Sequence, residues 1–421
     1  MWDKQSKGLP SQSFRALTPG ALPLDGTNLK GWRRSPDLKP LHATSGEINL
    51  TPVATGVPVR AGDHCMFDPS STREEPTSQL EAEASQSQVS PVMQPQNATI
   101  SIVIVVWNAK KYVIECLDSL KEYLGDICAE VIIVDNASTD GSPELVAERY
   151  PEFKLIRNTE NLGFAKANNI GIAQSSGEYL CLVNSDVKFT DDCFSPMLRY
   201  LAENPGVAMI GPKMLTANGE ARRSTMRFPT IWNSFTRAIA LDLVFRRSSL
   251  FGGQLMSDFD HQRTIPVEVL NGWFVLIRRS ALERVGLLDP QFFMYGEDVD
   301  WCYRFRKAGQ EIVFFAGAGA IHYGGASAAG APLRFQLEMY RANLQYWRKH
   351  HSRIAQQLYL VSLAIYDAGR VFGLACSYPC LPGQRPSIGF KIKRSLACLQ
   401  WTMRAMWRKE DAGQVQTALT N

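Results

Sequence analysis

The pattern of apolar positions changes abruptly near residue 100. Up to about residue 97 the chain is rich in Ser, Pro, Gln and Gly and has few periodic apolar positions. Such a segment cannot bury enough surface to offset the entropy lost on ordering. At Ile100 the β-branched run ISIVIVVW begins, which is typical of a strand buried on both faces. We therefore expect residues 1–97 to be disordered and a folded domain to begin near residue 98.

Strand and helix patterns alternate after this run. Six further segments follow it. They are a helical pattern (YVIECLDSLKEYL), a strand (VIIVD), a helix beginning at Ser142-Pro143 (SPELVAER), a strand (FKLIR), a helix (GFAKANNIGIAQ) and a strand (YLCLVN). Further strand candidates are VAMIG, EVLNGWFVLIRR and EIVFFAG, with SALERVG and EDVDWCYRFRKAG as helix candidates. This alternation predicts an α/β fold with a mostly parallel central sheet flanked by helices.

Polar residues directly after buried strands are the first candidates for a site, because ligands bind outside the carboxyl ends of strands in open α/β sheets. In VIIVDNASTDGS, Asp135 ends a strand, and its carboxylate can accept hydrogen bonds from a base N–H or a ribose hydroxyl. The turn and the helix amino terminus that follow favour anions. Asp140 and Ser142 also have a structural explanation, in which they shape the turn and cap the helix.

Two further clusters follow strands. In NTENLGFAKANNIG, Gly163 permits close backbone approach and Asn168 is a polar position on the next helix, although this segment alone resembles an ordinary loop. In YLCLVNSDV, a buried strand places Asn184, Ser185 and Asp186 at its tip. A carboxylate on a rigid strand end suits Mg²⁺ or Mn²⁺, which take their other ligands from water and phosphate. The alternative for Asp186 is an ordinary loop aspartate.

Acidic residues also begin a helix in FFMYGEDVDWCYRFRKAG. The helix dipole favours acids such as Glu297 and Asp298 in a first turn, which is a structural explanation for both. The aromatic residues of FFMY, which precede the helix, and Gly296 instead favour a position at the wall of a pocket. Desolvation there raises the basicity of a carboxylate. His322, in AIHYGGAS, follows another strand candidate. A single histidine is more often structural, but an imidazole beside a carboxylate suits Mn²⁺.

Taken in order, these clusters resemble the family 2 glycosyltransferases with the GT-A fold, in particular the rhamnosyltransferase-like group that builds bacterial surface polysaccharides. The resemblance covers about residues 98–330 and rests on VIIVDNASTDGS, NLGFAKANN, VNSDV, NGWFVLIRR, FFMYGEDVDWCYR and IHYGGAS. The resulting division is a disordered segment over 1–97, a GT-A catalytic domain over 98–330 and a helical basic region over 331–421.

The resemblance implies an inverting, metal-dependent enzyme that moves a sugar from a nucleotide-diphosphate sugar to a hydroxyl of a glycan or lipid-linked acceptor. Rhamnose is the first sugar to consider, in cell-surface polysaccharide synthesis. Asp298 would be the general base, Glu297 would orient the acceptor or share that role, and Trp273 would line the acceptor side. The donor would contact Asp135, Asn136, Asn161, Gly163, Asn168, Asn184, Ser185 and Asp186.

The same resemblance makes Asp186 the metal-binding aspartate of the DxD-type motif, with Mn²⁺ or Mg²⁺ as the cofactor. In this chain the motif reads Asn184-Ser185-Asp186 and lacks the first aspartate. Only one motif carboxylate remains, which strengthens the case for His322 as a second metal ligand.

Charge is unevenly distributed along the chain. From residue 331 onward there are 13 Lys or Arg against 4 Asp or Glu. Since the whole chain has a net charge of +4, residues 1–330 carry a net negative charge. This balance argues against nucleic acid as a partner and suits a basic tail on an anionic membrane surface. The stretch KIKRSLACLQWTMRAMWRKE fits an interfacial helix, or equally a basic helix packed on the catalytic domain. The apolar segment 354–380 contains Asp367 and Arg370, which favours lying on a membrane over crossing it.

Nine scattered cysteines, without a CxxC pair or zinc spacing, indicate neither a disulfide framework nor a zinc site. The segment Met1–Pro10 does not read as a secretion signal. We therefore expect a cytoplasmic protein, peripheral on the cytoplasmic face of the membrane.

Two alternative functions stay open at this point. A nucleotidyltransferase would need a Gly-rich basic loop near the first strand, and VVWNAKKYV offers Lys110 and Lys111 but no glycine. A membrane-associated scaffold that has lost activity would not need the acidic and histidine candidates named above. A dehydrogenase is disfavoured, because GxGxxG is absent after the first strand.

Overall fold

The computed structural model describes residues 99–407, except 246, 247, 249, 252, 258 and 325–330. The segment predicted to be disordered, 1–97, lies outside the described residues. The strands are β1 (Ile100–Val106), β2 (Ala129–Asp135), β3 (Lys154–Arg157), β4 (Tyr179–Asn184), β5 (Val187–Phe189), β6 (Val207–Leu215), β7 (Ala221–Arg222), β8 (Thr225–Met226), β9 (Ile265–Pro266), β10 (Val269–Leu270), β11 (Phe274–Arg278) and β12 (Glu311–His322).

Helices separate these strands and form the end of the described chain. They are α1 (Lys110–Leu124), α2 (Ser142–Arg149), α3 (Phe164–Ala173), α4 (Phe194–Glu203), α5 (Ile231–Ala238), α6 (Leu241–Val244), α7 (Arg279–Val285), α8 (Glu297–Lys307), α9 (Pro332–His350), α10 (Arg353–Ser377) and α11 (Arg385–Trp407). The helices predicted in the catalytic region and the helical character of the region after residue 331 are therefore both observed.

The central sheet has the order β3-β2-β1-β4-β11-β6-β12-β5. The first four strands are parallel, as the alternation of strands and helices predicted. In β1, Ile100, Ile102 and Ile104 are fully buried, because helices cover both faces of the sheet. The carboxyl ends of β1, β2 and β4 therefore meet at one edge, which is where ligands bind in such sheets.

The second half of the sheet is mixed. Strand β11 runs antiparallel between β4 and β6, whereas β12 is parallel to β6. The predicted single strand EVLNGWFVLIRR is two strands, β10 and β11, because the backbone turns where Trp273 N–H donates to the Asn271 carbonyl at 2.9 Å. The antiparallel direction of β11 places its first residues beside the carboxyl end of β4.

Two hydrophobic layers enclose the sheet. Side chains from α1 and α4, among them Leu117 and Phe194, belong to one core cluster. Side chains from α3, α8 and α9, among them Phe305 and Trp347, belong to the other. The sheet edge that carries the polar clusters is thus held between two rigid layers.

Helix α9 is attached to α8 through a buried carboxylate. Asp300 is fully buried and lies 2.7 Å from His350 Nε2, 2.8 Å from Lys349 Nζ and 2.9 Å from Arg304 Nε. Burial alone would raise its pKa, but hydrogen bonds from His350 and Lys349 outweigh it, so the pKa of Asp300 lies below its usual value. These contacts fix the end of α9 against the helix that carries Glu297 and Asp298.

Candidate active site

The first polar cluster lies at the end of β2. Asp135 is 3% exposed, and its Oδ2 accepts a hydrogen bond from Ser138 N at 3.2 Å. Its Oδ1 is buried and has no hydrogen-bond partner. A buried carboxylate oxygen without a donor is costly, which is expected where a ligand supplies the missing hydrogen bond. In contrast, Asp140 takes the structural role that the sequence left open, because it accepts hydrogen bonds from Ser142 N and Lys110 N.

Asn136 joins the end of β2 to the loop before α3. Its Nδ2 donates to Asn161 Oδ1 at 2.8 Å and to the Gly163 carbonyl at 3.3 Å. Its Oδ1 accepts from Asn158 Nδ2 and from Leu162 N. Asn136 and Asn161 are thus brought together, but as hydrogen-bonding partners that shape the loop. Their contact with a donor stays a prediction.

Gly163 has the close backbone approach that the sequence predicted. Its φ is +82°, and an added Cβ would lie 2.3 Å from the Phe293 carbonyl oxygen. The next amide, Phe164 N, donates to the same oxygen at 2.6 Å. The loop before α3 is therefore held against the segment that leads into Glu297. The observed approach is to protein backbone, and the predicted donor contact is untested.

Asn168 lies deeper than the other candidates. It is 1% exposed, and its side-chain amide donates to the Phe164 carbonyl within α3 at 2.9 Å. This hydrogen bond satisfies the buried side-chain amide within the helix. The predicted contact of Asn168 with a donor is untested.

The tip of β4 holds the candidate metal ligands. Asp186 Oδ1 lies 3.0 Å from His322 Nε2, and both side chains are 13% exposed. Gly324 N donates to Asp186 Oδ2 at 3.0 Å. Pairing of β12 with β5 produces this contact, since His322 lies opposite Val187. Although burial by itself would raise the pKa of Asp186, the hydrogen bond from His322 leaves it below the usual value.

Trp273 supports the imidazole of His322. The two rings are stacked at a centroid distance of 5.4 Å with an interplanar angle of 22°, and Trp273 is 3% exposed. Its carbonyl accepts a hydrogen bond from Asn184 N at 2.8 Å. The observed contact of this ring is therefore with His322, and its predicted position on the acceptor side stays a prediction.

Glu297 and Asp298 begin α8, after Gly296 in a left-handed conformation with φ +76°. Asp298 accepts hydrogen bonds from Val299 N at 2.8 Å and from Gly272 N at 3.3 Å. Glu297 is 6% exposed, and its Oε2 is buried without a hydrogen-bond partner. Both carboxyl groups border a small, mostly apolar cavity that Phe164, Gly272 and Trp301 also line.

The two neighbouring carboxyl groups differ in how easily they ionise. Burial, and then the charge of Asp298, raise the pKa of Glu297 well above its usual value. Burial also raises the pKa of Asp298, but the two backbone N–H groups oppose that effect. Since these donors stabilise the carboxylate form, the pKa of Asp298 is raised less than that of Glu297.

The turn between β10 and β11 joins the two ends of the site. Gly272 N contacts Asp298, and the next residue, Trp273, stacks on His322, which contacts Asp186. Asp186 and Asp298 therefore lie on the two sides of one turn. The parallel half of the sheet sets the position of Asp135 relative to β4. Val106 of β1 pairs with Asp135 of β2, and the adjacent Val105 pairs with Asn184 of β4. Asp135 is therefore two strand spacings, about 10 Å, from the tip of β4.

Sequence reasoning missed the backbone donors. Gly272 and Gly324 each direct an N–H at a candidate carboxylate, Asp298 and Asp186 respectively. Both glycines stand inside quoted motifs, NGWFVLIRR and IHYGGAS. Backbone hydrogen bonds leave no side-chain signature, so only their place in these motifs could have indicated them.

The residues at the tip of β4 fit a hard divalent cation. Asn184 Oδ1 is buried without a partner, and Asn184 Nδ2 lies 3.3 Å from His322 Nε2. An amide oxygen, a carboxylate and an imidazole therefore share one small region. Among the residues that the structure describes, no group of three or more His, Cys, Asp or Glu side chains could hold a metal. Such a partial set suits Mg²⁺ or Mn²⁺, which keep ligands from water and phosphate.

A family model supports the resemblance seen in the sequence. The model of glycosyl transferase family 2 matches residues 101–286, from β1 to the end of α7, which is less than half of the chain. Over that segment the chain resembles a family 2 glycosyltransferase. Its α/β architecture, a central sheet flanked by helices, is as the sequence predicted, and the match supports glycosyl transfer as its activity. The matched segment contains Asp135 and Asp186, whereas Asp298 and His322 lie beyond it.

Two relatives are similar to this chain over most of their own length. The N-acetylglucosaminyl-diphospho-decaprenol L-rhamnosyltransferase of Mycobacterium tuberculosis is 28% identical over 233 residues, which are 53% of this chain and 75% of that protein. The low-salt glycan biosynthesis hexosyltransferase Agl10 of Haloferax volcanii is 24% identical over 235 residues, 55% of this chain and 69% of that protein. One name describes a rhamnosyltransferase and the other a hexosyltransferase.

Solved structures give a weaker likeness. A mannosyltransferase, PcManGT from Pyrobaculum calidifontis in complex with GDP-Man and Mn²⁺, has a TM-score of 0.45 at 17% identity, covering 74% of this chain and 88% of that chain. At that TM-score the likeness supports no statement about the ligands of this chain.

Proposed function

We propose that this glycosyltransferase is a metal-dependent, inverting enzyme that transfers a sugar from a nucleotide-diphosphate sugar to a hydroxyl of a glycan or lipid-linked acceptor. We place it in cell-surface polysaccharide synthesis, on the cytoplasmic face of the membrane. The observation that carries this proposal is the turn at Gly272 and Trp273, which joins the Asp186–His322 pair to Asp298.

The donor side of the proposed site extends from β2 to β4. The unpaired Oδ1 of Asp135 would accept a hydrogen bond from the base or ribose, and Ser185 and Asn184 lie at the tip of β4 toward the diphosphate. Asp186 and His322 would hold Mn²⁺ or Mg²⁺, which supplies positive charge against the charge that develops on the departing nucleotide diphosphate. Trp273 keeps the imidazole in place by stacking on it.

The acceptor side of the proposed site is Asp298. Its carboxylate removes the proton from the acceptor hydroxyl as that oxygen attacks the anomeric carbon from the face opposite the diphosphate, which inverts the anomeric centre. The Gly272 and Val299 N–H groups fix the carboxylate and oppose the effect of burial on its pKa. Burial and the charge of Asp298 raise the pKa of Glu297 and favour its neutral form, in which it would donate a hydrogen bond to the acceptor.

Rhamnose is the sugar we propose, since a relative at 28% identity is named a rhamnosyltransferase and acts on a diphospho-decaprenol lipid. The test is hydrolysis of a panel of nucleotide sugars by the purified chain with Mn²⁺, with Mg²⁺ and with EDTA. We expect dTDP-rhamnose to be hydrolysed fastest and EDTA to abolish the reaction. Equal hydrolysis in EDTA would overturn the metal role, and a faster donor of another sugar would overturn rhamnose alone.

Two other functions make different predictions in that assay. A nucleotidyltransferase would consume a nucleoside triphosphate and release pyrophosphate, whereas a glycosyltransferase releases a nucleoside diphosphate. An inactive scaffold would bind no donor and release neither product. Family membership and the shared position of Asp186 and Asp298 favour the glycosyltransferase.

A further inference from the structure

Helix α10 carries a straight stripe of exposed apolar side chains. Ile354 is 75% exposed and Phe372 is 73% exposed, with Leu358, Val361 and Ile365 between them at 42–47%. The spacing of 4, 3, 4 and 7 residues puts all five within about 60° of one another around the helix. The stripe runs along most of a helix about 37 Å long.

A second exposed apolar group lies on α5, α6 and the turn after them. Trp232, Phe235 and Ile239 follow helical spacing and are 42–44% exposed, and Val244 and Phe245 are 71% and 48% exposed. The aromatic rings contact one another and Phe251 at centroid distances of 5.3–6.3 Å. We call these residues, together with the stripe on α10, the α5–α10 apolar surface.

The two parts of this surface adjoin each other. Helix α5 packs beside α10, where the Arg237 guanidinium lies 5.8 Å from the centre of the Tyr366 ring. In the sequence from 353 to 407, seven residues are Lys or Arg and one, Asp367, is acidic. Arg353, Arg385, Lys393 and Arg404 are exposed. Exposed apolar and aromatic side chains combined with excess positive charge match the surface of an anionic bilayer.

The packing of α10 favours lying on a bilayer over crossing one. By length and composition alone, α10 is the one helix among the described residues that could span a membrane, and 22% of its apolar 18-residue window is buried. Asp367 is 2% exposed and accepts a hydrogen bond from Tyr340 of α9 at 3.1 Å. One side of α10 is thus attached to α9 and α11 through polar and apolar contacts, and the stripe is on the other.

The stretch predicted to be interfacial, 391–410, buries some apolar side chains and exposes others. Within α11, Cys398 and Ala405 are buried, whereas Leu396, Met403 and Trp407 are 40%, 44% and 84% exposed. Residues 408–410 lie outside the described part of the chain. Membrane contact through this stretch stays a prediction, and the exposed apolar group on α5, between β8 and β9, was not predicted.

We propose that the α5–α10 apolar surface docks the enzyme on an anionic phospholipid bilayer. Helix α5 follows β8 by four residues, and the residue before β8, Ser224, accepts the Asn271 N–H next to Gly272. The segment that carries α5 therefore also contacts the turn beside Asp298. Docking at this surface would hold the enzyme on the bilayer that contains lipid-linked acceptors, which extends the proposed function but does not depend on its donor or metal.

The test is sedimentation of the full chain with vesicles of phosphatidylcholine, with and without phosphatidylglycerol. One variant combines Ile354→Gln, Leu358→Gln and Ile365→Gln, and a second combines Trp232→Ser and Phe245→Ser. We expect the unaltered chain to sediment with the anionic vesicles, and each variant to bind them about tenfold or more weakly. Leu287→Gln with Leu333→Gln, which changes exposed leucines elsewhere, is the matched control and should bind as the unaltered chain does.

Three outcomes would overturn the proposal. They are no sedimentation of the unaltered chain with anionic vesicles, unchanged sedimentation of both variants, or a dimer in solution that the α10 variant converts to a monomer. Soluble donor hydrolysis is measured on the same samples. It should be equal in all of them, because no altered residue belongs to the proposed catalytic site, and its absence in every sample would count against the proposed function alone.

Discussion

The imidazole of His322 lies against the carboxylate of Asp186, with 3.0 Å between Nε2 and Oδ1. The two residues are 136 positions apart in sequence and meet because β12 pairs with β5. Asp186→Ala should therefore weaken Mn²⁺-dependent binding of a nucleoside diphosphate, by on the order of 10- to 100-fold as for other metal-site substitutions. Calorimetric titration with and without Mn²⁺ measures this change.

The matched control for that prediction is Asp191→Ala, which removes an exposed aspartate close in sequence. It should leave binding unchanged. His322→Ala should act in the same direction as Asp186→Ala. An Asp186→Ala protein that retains the full Mn²⁺ dependence would remove Asp186 from the metal site.

Asp298→Asn should abolish sugar transfer and spare donor binding. Loss of a general base lowers the rate by about 10²- to 10⁴-fold. In the unaltered enzyme the rate should fall with decreasing pH as Asp298 is protonated. Because burial raises the pKa of Asp298, this fall should lie above the usual aspartate range. A pH–rate profile and a donor titration measure the two effects, and Glu283→Gln, an exposed acid on α7, is the control.

Glu297→Gln should be far milder than Asp298→Asn. Burial and the charge of Asp298 raise the pKa of Glu297 and favour its neutral form, which glutamine resembles. We expect transfer within about tenfold of the unaltered rate, since one neutral hydrogen-bond donor replaces another. A loss as large as that of Asp298→Asn would assign Glu297 the role of base.

The same substitution should change the pH dependence of stability. A carboxyl group whose pKa is raised in the folded state binds its proton more tightly there than in the unfolded chain. Its contribution therefore decreases as pH rises above the usual glutamate value. Glu297→Gln should raise the melting temperature at pH 8 more than at pH 4 or below. Equal shifts at both pH values would contradict the raised pKa.

Asp300→Asn should destabilise the fold. Removing one partner of a buried ion pair leaves uncompensated charge and costs about 3 kcal/mol or more of unfolding free energy. Since the pKa of Asp300 is lowered in the folded state, the stabilisation that it gives is present above the unfolded aspartate pKa and is lost as pH falls through the folded value. Urea unfolding of Asp300→Asn measures the loss.

Glu152→Gln is the control for that experiment, because its ion pair with Lys121 is about half exposed. It should cost less than about 1 kcal/mol of unfolding free energy. If both substitutions had equally small effects, Asp300 would not be the anchor of α9.

The elements and the polar residues at their ends could be predicted from the sequence alone. Buried apolar runs predicted β1, β2 and β4, the first two rich in β-branched residues, and this placed Asp135 and Asp186 at the same edge. The motifs, which occur in order along the chain, also indicated the family that the chain resembles over residues 101–286. Local pattern carries this information, since strand burial and helix periodicity repeat over few residues.

Tertiary structure decided which of these residues touch. The antiparallel direction of β11 placed Gly272 against Asp298 and Trp273 against His322. No local sequence pattern distinguishes an antiparallel strand such as β11 from a parallel one. Backbone donors and ring stacking depend on distant segments, so they leave no periodic signal. The same holds for the α5–α10 apolar surface, because the exposure of an amphipathic helix face depends on which neighbours cover the rest of that helix.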